Sequence, residues 1–453
     1  MTLDWPALSS TLLGDVLRPD SAGYDEARKP AIARFEGVRP QAVVRCAGQA
    51  DVAETISFAA RHDVPVAIRS GGHCFAGRSS TSGLLLDVSR MSSVSLSGDV
   101  ATVGAGTTLA ELYATLDEHG RTVAAGCGDT VGIAGLALGG GIGILGRTYG
   151  TTSDQLVGAQ VVLADGRVLD CDEARDPDLF WALRGAGGGT FGVVTSLALR
   201  TVPAPAATAF ALTWSGTAVA AVVGAWPAWA PAAPDELSAS LVVHAPVGAD
   251  VVASVFGAMP GVESDTVPLL DELAVRVGMD PDSASFHDAP FREAKQALTR
   301  LSDRQHGTRH TYPLSRSEFF RRPVPTGAIT ELVASLGPAR PGEARELDFT
   351  PLRGAYDRVP ANATAYVHRQ LDFLVKYEAI IDVDAPEAAV ESGRGWLARS
   401  WATARPWGSG QAYQNFPDAD LDDSARAYYG VNTAKLHDVK HRYDPTGFWR
   451  GFS

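Results

Sequence analysis

Residues 126–146 read GCGDTVGIAGLALGGGIGILG, nine glycines in 21 residues, and no other stretch so narrows what this chain can fold into. Glycine in that density suits backbone brought close to another group, where a Cβ would not fit. The end of the run, Gly141 to Gly146, satisfies GxGxxG. The dinucleotide-binding form of that motif, however, follows a β-branched strand and has an acidic residue about twenty positions on. Here more glycine precedes it, and the acid at that distance, Asp165, belongs to an Asp165-Gly166 hairpin turn. A Rossmann site is set aside. Two readings stay open: main-chain N–H groups passing a pyrophosphate, or a flexible glycine loop.

A second sharp loop precedes it in "AIRSGGHCFAG", residues 67–77. "AVVRCA" (42–47) reads as a strand, "DVAETISFAARHD" as a helix with Asp51 and Glu54 in capping-box spacing, and "VPVAIR" as the next strand. That unit holds the loop at a strand's carboxyl end, where α/β units place ligands. His73 and Cys74 at its tip are open to a metal, phosphate or covalent-anchor reading. A metal needs partners. His306/His310 and His437/His441 have i, i+4 spacing but lack the glutamate of HExxH and sit among basic residues, so no metal is expected. Cys46, Cys74, Cys127 and Cys171 form no CxxC pair, which fits a reducing cytoplasm.

Further along, "GLLLDVS" and "DVATVGAG" read as strands of a meander, "TLAELYATLDEHG" as a helix stopped by Gly120, and "GAQVVLADGRVLDC" as a hairpin. "TVPAPAAT" (201–208) marks a domain boundary. Beyond it, strands such as "SASLVVHA" and "AYVHRQLDFLVKYEAIIDV" mix with helices such as "TVPLLDELAVRV" and "AVESGRGWLARSWATARP", a pattern for a largely antiparallel sheet backed by helices. "DSARAYYGVNTAKLHDVKHRY" reads as one last helix. A net charge of -13 argues against nucleic acid or an anionic membrane as partner. No apolar run approaches the roughly 18 residues of a spanning helix, and "MTLDWPALSS" lacks a signal-peptide pattern. The Asn362-Ala363-Thr364 sequon is therefore expected to be idle, and the location cytoplasmic.

Six stretches then occur in order: "RSGGHCFAG", "GIAGLALGGGIG", "GRTYGTTSDQL", "DPDLFWALRGAGGGTFGVVTS", "AYQNFPDADL" and "YYGVNTAKLHDVKHRYDPTGFW". Together they resemble the berberine bridge enzyme-like flavoprotein oxidases of the vanillyl-alcohol oxidase/p-cresol methylhydroxylase (PCMH) superfamily. The resemblance implies a two-domain α+β fold: a PCMH-type FAD-binding domain over 1–205 (core from about 25), a substrate domain over 206–407, and a segment over 408–453 returning to the first domain. It implies FAD bonded through its 8α-methyl carbon to His73, with Arg69, Ser70, Gly71, Gly72, Gly77 and Ser79 lining the cofactor. Thr130, Val131, Gly132, Gly135, Gly139, Gly140, Gly192, Val194 and Asn432 carry over as further FAD contacts.

Some members add a cysteine bond to the flavin, for which Cys127 stands in the right loop. Their pattern is Cys-x-x-Val-Gly, whereas here one more residue separates Cys127 from Val131-Gly132. A tyrosine of the "YxN" segment acts as base in related oxidases, which points to Tyr413, with Asp348 or Arg369 as candidate activators and Asn415 positioning the flavin or Tyr413. The implied reaction is two-electron oxidation of a small alcohol, sugar or secondary metabolite, with dioxygen reduced to hydrogen peroxide. A flavin dehydrogenase with another acceptor and a non-catalytic flavin-binding protein are the alternatives.

Overall fold

The computed structural model describes residues 3–245, 250–306, 310–337 and 340–450, without the side chains of 301–306. Strands Asp15–Leu17 (β1), Ala42–Arg45 (β2), Val66–Arg69 (β3) and Leu84–Asp87 (β4) form a sheet in the order β1-β2-β4-β3. The pairs β2/β4 and β4/β3 are parallel. The unbroken apolar run of β4 follows from that, because a parallel sheet is buried on both faces.

Helix Gln49–Arg61 crosses between β2 and β3, but not with the expected capping box. Its N-cap is Gly48, and the buried carboxylate of Asp51 accepts from the main-chain N–H groups of Leu13, Gly14 and Ala47 instead. Three otherwise unpartnered amides outcompete one helix end. Glu54 faces outward to Arg61.

Strands Val94–Ser97 (β5) and Val100–Gly104 (β6) form a hairpin, and β4 is no part of it, which corrects the meander. Arg121–Thr122 (β7) makes a short pair described below. Leu156–Val162 (β8), Val168–Cys171 (β9) and Val193–Arg200 (β10) complete a second sheet, β5-β6-β10-β8-β9, antiparallel throughout. Gly166 at the β8–β9 turn has φ +83, the left-handed conformation its Asp-Gly signature anticipates. Val202–Pro203 (β11) pairs with β7.

The third sheet has seven strands: Ala206–Ser215 (β12), Ser238–His244 (β13), Val252–Pro260 (β14), Ser283–Pro290 (β15), Thr311–Phe320 (β16), Glu343–Pro351 (β17) and Phe373–Asp382 (β18). Their order is β15-β12-β14-β13-β17-β18-β16, all antiparallel. Helices Ala218–Trp229, Glu263–Val277, Thr326–Leu336 and Glu387–Ala404 bury one face through Trp214, Trp226, Leu347, Phe373 and Trp396. Period two sends alternate residues to the other face, where Phe319 and Leu374 pack with Tyr356, Tyr366 and Tyr413.

Two expectations fail locally. Of "AYVHRQLDFLVKYEAIIDV" only Phe373–Asp382 is strand; before it, Gln370 takes φ +56, which a ladder does not accommodate. The single last helix is two, Ser424–Tyr429 and Thr433–Tyr443, broken where Gly430 has φ +47. Tyr428, Leu436, Tyr443 and Trp449 of this tail join the core of the first two sheets.

Candidate functional site

Strand β3 delivers Ser70, Gly71, Gly72 and His73 to the carboxyl edge of the parallel sheet. The first glycines serve contact between loops. A Cβ on Gly71 would overlap the main chain of Thr130 and Gly132, and one on Gly132 would overlap Ser70. Gly72 has φ +75. Ser70 Oγ donates to the Ala105 carbonyl at 2.7 Å, and Nε2 of His73 is hydrogen-bonded to Oγ1 of Thr130 at 2.9 Å. Burial lowers the His73 pKa, so the imidazole is neutral at physiological pH.

Other candidates shape the protein around the loops. Arg69 is buried and donates to the carbonyls of Ser79 and Ala27 at 2.9 Å, closing the base of loop 70–79. Gly77 lies against the Phe35 ring, Gly139 against Asn415, Gly140 against Tyr366, and Gly192 against Val161 and Val162. Val194 is buried in the first core, and Val131 packs beside that core. Asn432 donates to the carbonyls of Ala361, Thr364 and Ala365, fixing the turn that leads into Tyr366.

Gly135 differs. It is exposed, and nothing lies within 4 Å of where its Cβ would be. Half-buried Gly187 likewise has nothing within 4 Å of its Cβ position, and exposed Gly188 meets only Leu138. Ser79 Oγ is buried with no hydrogen-bond partner among the described residues. A neutral imidazole, a glycine floor free of Cβ atoms and an unsatisfied hydroxyl fit a flavin dinucleotide.

Tyr413 is 2% exposed. Its oxygen accepts from the N–H of Gly141 (2.9 Å), the N–H of Ile142 (3.2 Å) and Nδ2 of Asn415 (3.0 Å). Burial pushes the phenol up to about 12, and these donors oppose that rise. The two candidate activators do not contact the Tyr413 oxygen. Arg369 grips Asp154 through two bonds, at 2.9 and 2.6 Å, and Asp348 lies 3.5 Å from the Lys376 ammonium.

Sequence reasoning missed the polar row around Asp348. Register places Asp348 opposite Lys376 and Glu346 opposite Glu378 on the sheet face away from its helices. Lys376 Nζ lies 3.0 Å from Glu378 and 5.4 Å from the Phe416 ring centroid. Phe416 stacks on Phe75, two residues past His73, and meets Tyr413 edge-on. The row therefore reaches the loop tip through aromatic contacts. Burial and the neighbouring carboxylates push Asp348 up to about 6 against the pull of Lys376. Burial alone would lower Lys376, but Glu378 and Asp348 hold it above its ordinary range. The signal was present as charged residues two apart inside apolar strands, in "ELD" and "KYE".

Cys127 is half-buried, and burial raises its thiol pKa while Lys295 opposes the rise. Cys74 stays free and half-buried. No group of three or more potential metal ligands occurs among the described residues. His310 lies outside helix Phe291–His306 and pairs with Glu36, and the His306 side chain lies outside the described residues. No helix among the described residues is long and apolar enough to cross a membrane.

Such an arrangement defines an FAD-binding oxidoreductase, and comparison with known proteins agrees. Residues 40–172 match the family model for an FAD binding domain, and residues 412–451 match that for berberine and berberine-like proteins. The FAD-linked oxidoreductase YgaK of Bacillus subtilis is 31% identical over 449 residues, covering 97% of this chain and 96% of its own. Berberine bridge enzyme-like 6 of Arabidopsis thaliana is 30% identical, with 90% of this chain and 80% of its own covered. The solved glucooligosaccharide oxidase of Acremonium strictum, described with a 6-S-cysteinyl, 8α-N1-histidyl FAD, superposes with TM-score 0.84 at 26% identity, covering 98% and 97%. This chain belongs to the berberine bridge enzyme-like family of FAD-linked oxidoreductases.

Proposed function

We propose that this protein is an oxidase for a small organic substrate, carrying FAD bonded to His73, and that dioxygen takes the electrons to give hydrogen peroxide. FAD bound there accepts a hydride and passes two electrons on. The carrying observation is the placing of His73: half-buried, which favours its neutral form, and held at Nε2 by Thr130, which leaves Nδ1 to form the bond. The glucooligosaccharide oxidase, with its histidyl FAD, supports that reading.

Residues 1–205 and 408–453 form the cofactor half in this proposal, and 206–407 the substrate half. Ser70, Gly71, Gly72, Ser79, Thr130 and Gly135 border the cofactor directly. Arg69, Gly77, Val131, Gly132, Gly139, Gly140, Gly192, Val194, Asn415 and Asn432 hold those loops in place. Tyr413 receives the proton of a substrate hydroxyl, since an oxygen facing three N–H donors is arranged to carry negative charge. The row of Asp348, Lys376 and Glu378 and the rings of Phe75 and Phe416 wall the substrate space. Cys127 is the candidate for a second attachment.

Intact mass and the visible spectrum of acid-precipitated protein test the attachment in wild type, His73→Ala and Cys127→Ala. The wild-type pellet should stay yellow and heavier by FAD, and H73A should lose that mass or retain only a cysteine-linked share. A colourless wild-type pellet defeats the proposal. Oxygen uptake in air, compared with dye reduction under nitrogen, separates oxidase from dehydrogenase.

A further inference from the structure

The helix Phe291–His306 belongs by sequence to the second half of the chain, yet Phe291, Ala294 and Leu298 pack into the first core. It also turns Lys295 onto the loop that carries Cys127 and Thr130. Lys295 is 4% exposed. Its Nζ donates to the Cys127 carbonyl at 3.2 Å, lies 3.5 Å from Asp129 Oδ1, and sits 4.1 Å from the Tyr113 ring centroid. One turn on, Thr299 Oγ1 donates to the same carbonyl at 3.5 Å, while the Tyr113 hydroxyl donates to the Gly126 carbonyl at 3.0 Å.

An ammonium is costly to bury unless it is paired and hydrogen-bonded. Two of these partners, the Cys127 carbonyl and Asp129, lie on the loop, and the third, Tyr113, holds it from beside. The loop is thus clamped from two sides, by Tyr113 of helix Leu109–Asp117 and by Lys295. Next to the clamped residues, Thr130 holds the His73 ring. A reacting nitrogen displaced by about 1 Å can lose about 100-fold in rate. Holding Thr130 is therefore equivalent to holding the attachment geometry.

We propose that Lys295 is a positioning residue for flavin attachment, acting through the 127–130 loop and Thr130 on the ring of His73. Attachment would exchange an 8α-methyl C–H and the imidazole N–H for a C–N bond, the electron pair and two protons being taken up by the bound flavin and passed to the dioxygen of the proposed reaction. The inference rests on His73 being the attachment point. Lys295→Met keeps the aliphatic stem and removes the charge, Lys295→Arg keeps the charge, and Thr130→Val cuts the last link. Apoprotein of each is given FAD. Total bound flavin is read by absorbance, and the attached fraction over time by acid precipitation and intact mass.

The expected result is wild-type FAD uptake in K295M and K295R, with attachment per bound flavin slowed about 10- to 100-fold in K295M and T130V and largely restored in K295R. Attachment at the wild-type rate in K295M overturns the inference while leaving the His73 reading intact. Wild-type protein that releases all its flavin into acid overturns both. Should K295M be insoluble, Lys295→Gln and T130V carry the test, and a wild-type rate in either one overturns the inference.

Discussion

At the scale of single residues, the site's glycines divide into two kinds, and substitution separates them. A Cβ at Gly132 meets Ser70 and the backbone of Gly71, so Gly132→Ala should force the two loops apart and lower both stability and flavin binding. A Cβ at Gly135 meets nothing, and the residue lies inside helix Ile133–Leu138. Gly135→Ala should leave the apoprotein as stable as wild type or more so, by up to about 1 kcal/mol, yet weaken FAD retention. Thermal melts of apoprotein alongside flavin titration check the contrast.

Tyr413→Phe removes the proposed proton acceptor without touching the attachment loop. The turnover number should fall about 100- to 10,000-fold with flavin content unchanged. Because burial sets the phenol near 12, the wild-type rate should climb with pH on the alkaline side, and Y413F should lose that limb.

Elements explain how Tyr413 is held. Residues 408–411 lie along β16: Gly408 bridges Phe320, Ser409 N donates to the Phe319 carbonyl at 2.8 Å, and Phe319 N to the Gln411 carbonyl at 3.1 Å. Gly410 N donates to buried Glu318 at 2.6 Å, and Tyr413 N to Ser317 Oγ at 3.0 Å. Burial pushes Glu318 up to about 7, opposed by the Gly410 amide and Arg405. With a folded pKa above the unfolded one, the folded state keeps a proton that the unfolded chain releases between pH about 4.5 and 7. Stability from this group is therefore full below that window and lost as pH rises through 7. Glu318→Gln should raise the melting temperature at pH 8, and the gain should vanish near pH 4.5. An equal gain at both values would contradict the buried, ionised clasp.

These elements also mark what the sequence discloses. The strand–loop unit at 66–73 and the Asp165-Gly166 hairpin were legible because their signals are local: period, punctuation and turn chemistry. The contact between Gly71 and Gly132 was not, since glycine density carries no address for what the backbone approaches. Asp51 was misread for a similar reason, because its three amide partners include two, Leu13 and Gly14, nearly forty positions away. Lys295 and the row at Asp348 and Lys376 owe their roles to tertiary register, which charge spacing suggests but cannot aim.

Over the whole molecule, Arg147 is one of the buried side chains that join the proposed cofactor half to the proposed substrate half. Arg147, 1% exposed, donates to the carbonyls of Ala230, Ala233 and Leu352 at 2.9, 2.6 and 2.7 Å. Arg147→Met would leave those acceptors unpaired, a loss of about 2–5 kcal/mol, and Arg147→Lys cannot reproduce the planar fork. Denaturant melts should show both variants below wild type, with K the milder. Wild-type midpoints would mean that the halves are joined chiefly by other contacts.

The same long reach governs how the protein comes into being. Tyr428, Leu436, Tyr443 and Trp449 finish a core begun by Trp5 and Leu8, and Tyr413 stands against a loop made some 270 residues earlier. A nascent chain still on the ribosome has the loops at 70–79 and 126–146 but neither Tyr413 nor the tail side chains that complete the first core until its last helices emerge. Flavin capture is on this account a late event in biogenesis, and truncation from the carboxyl end should abolish it even where every loop residue is kept.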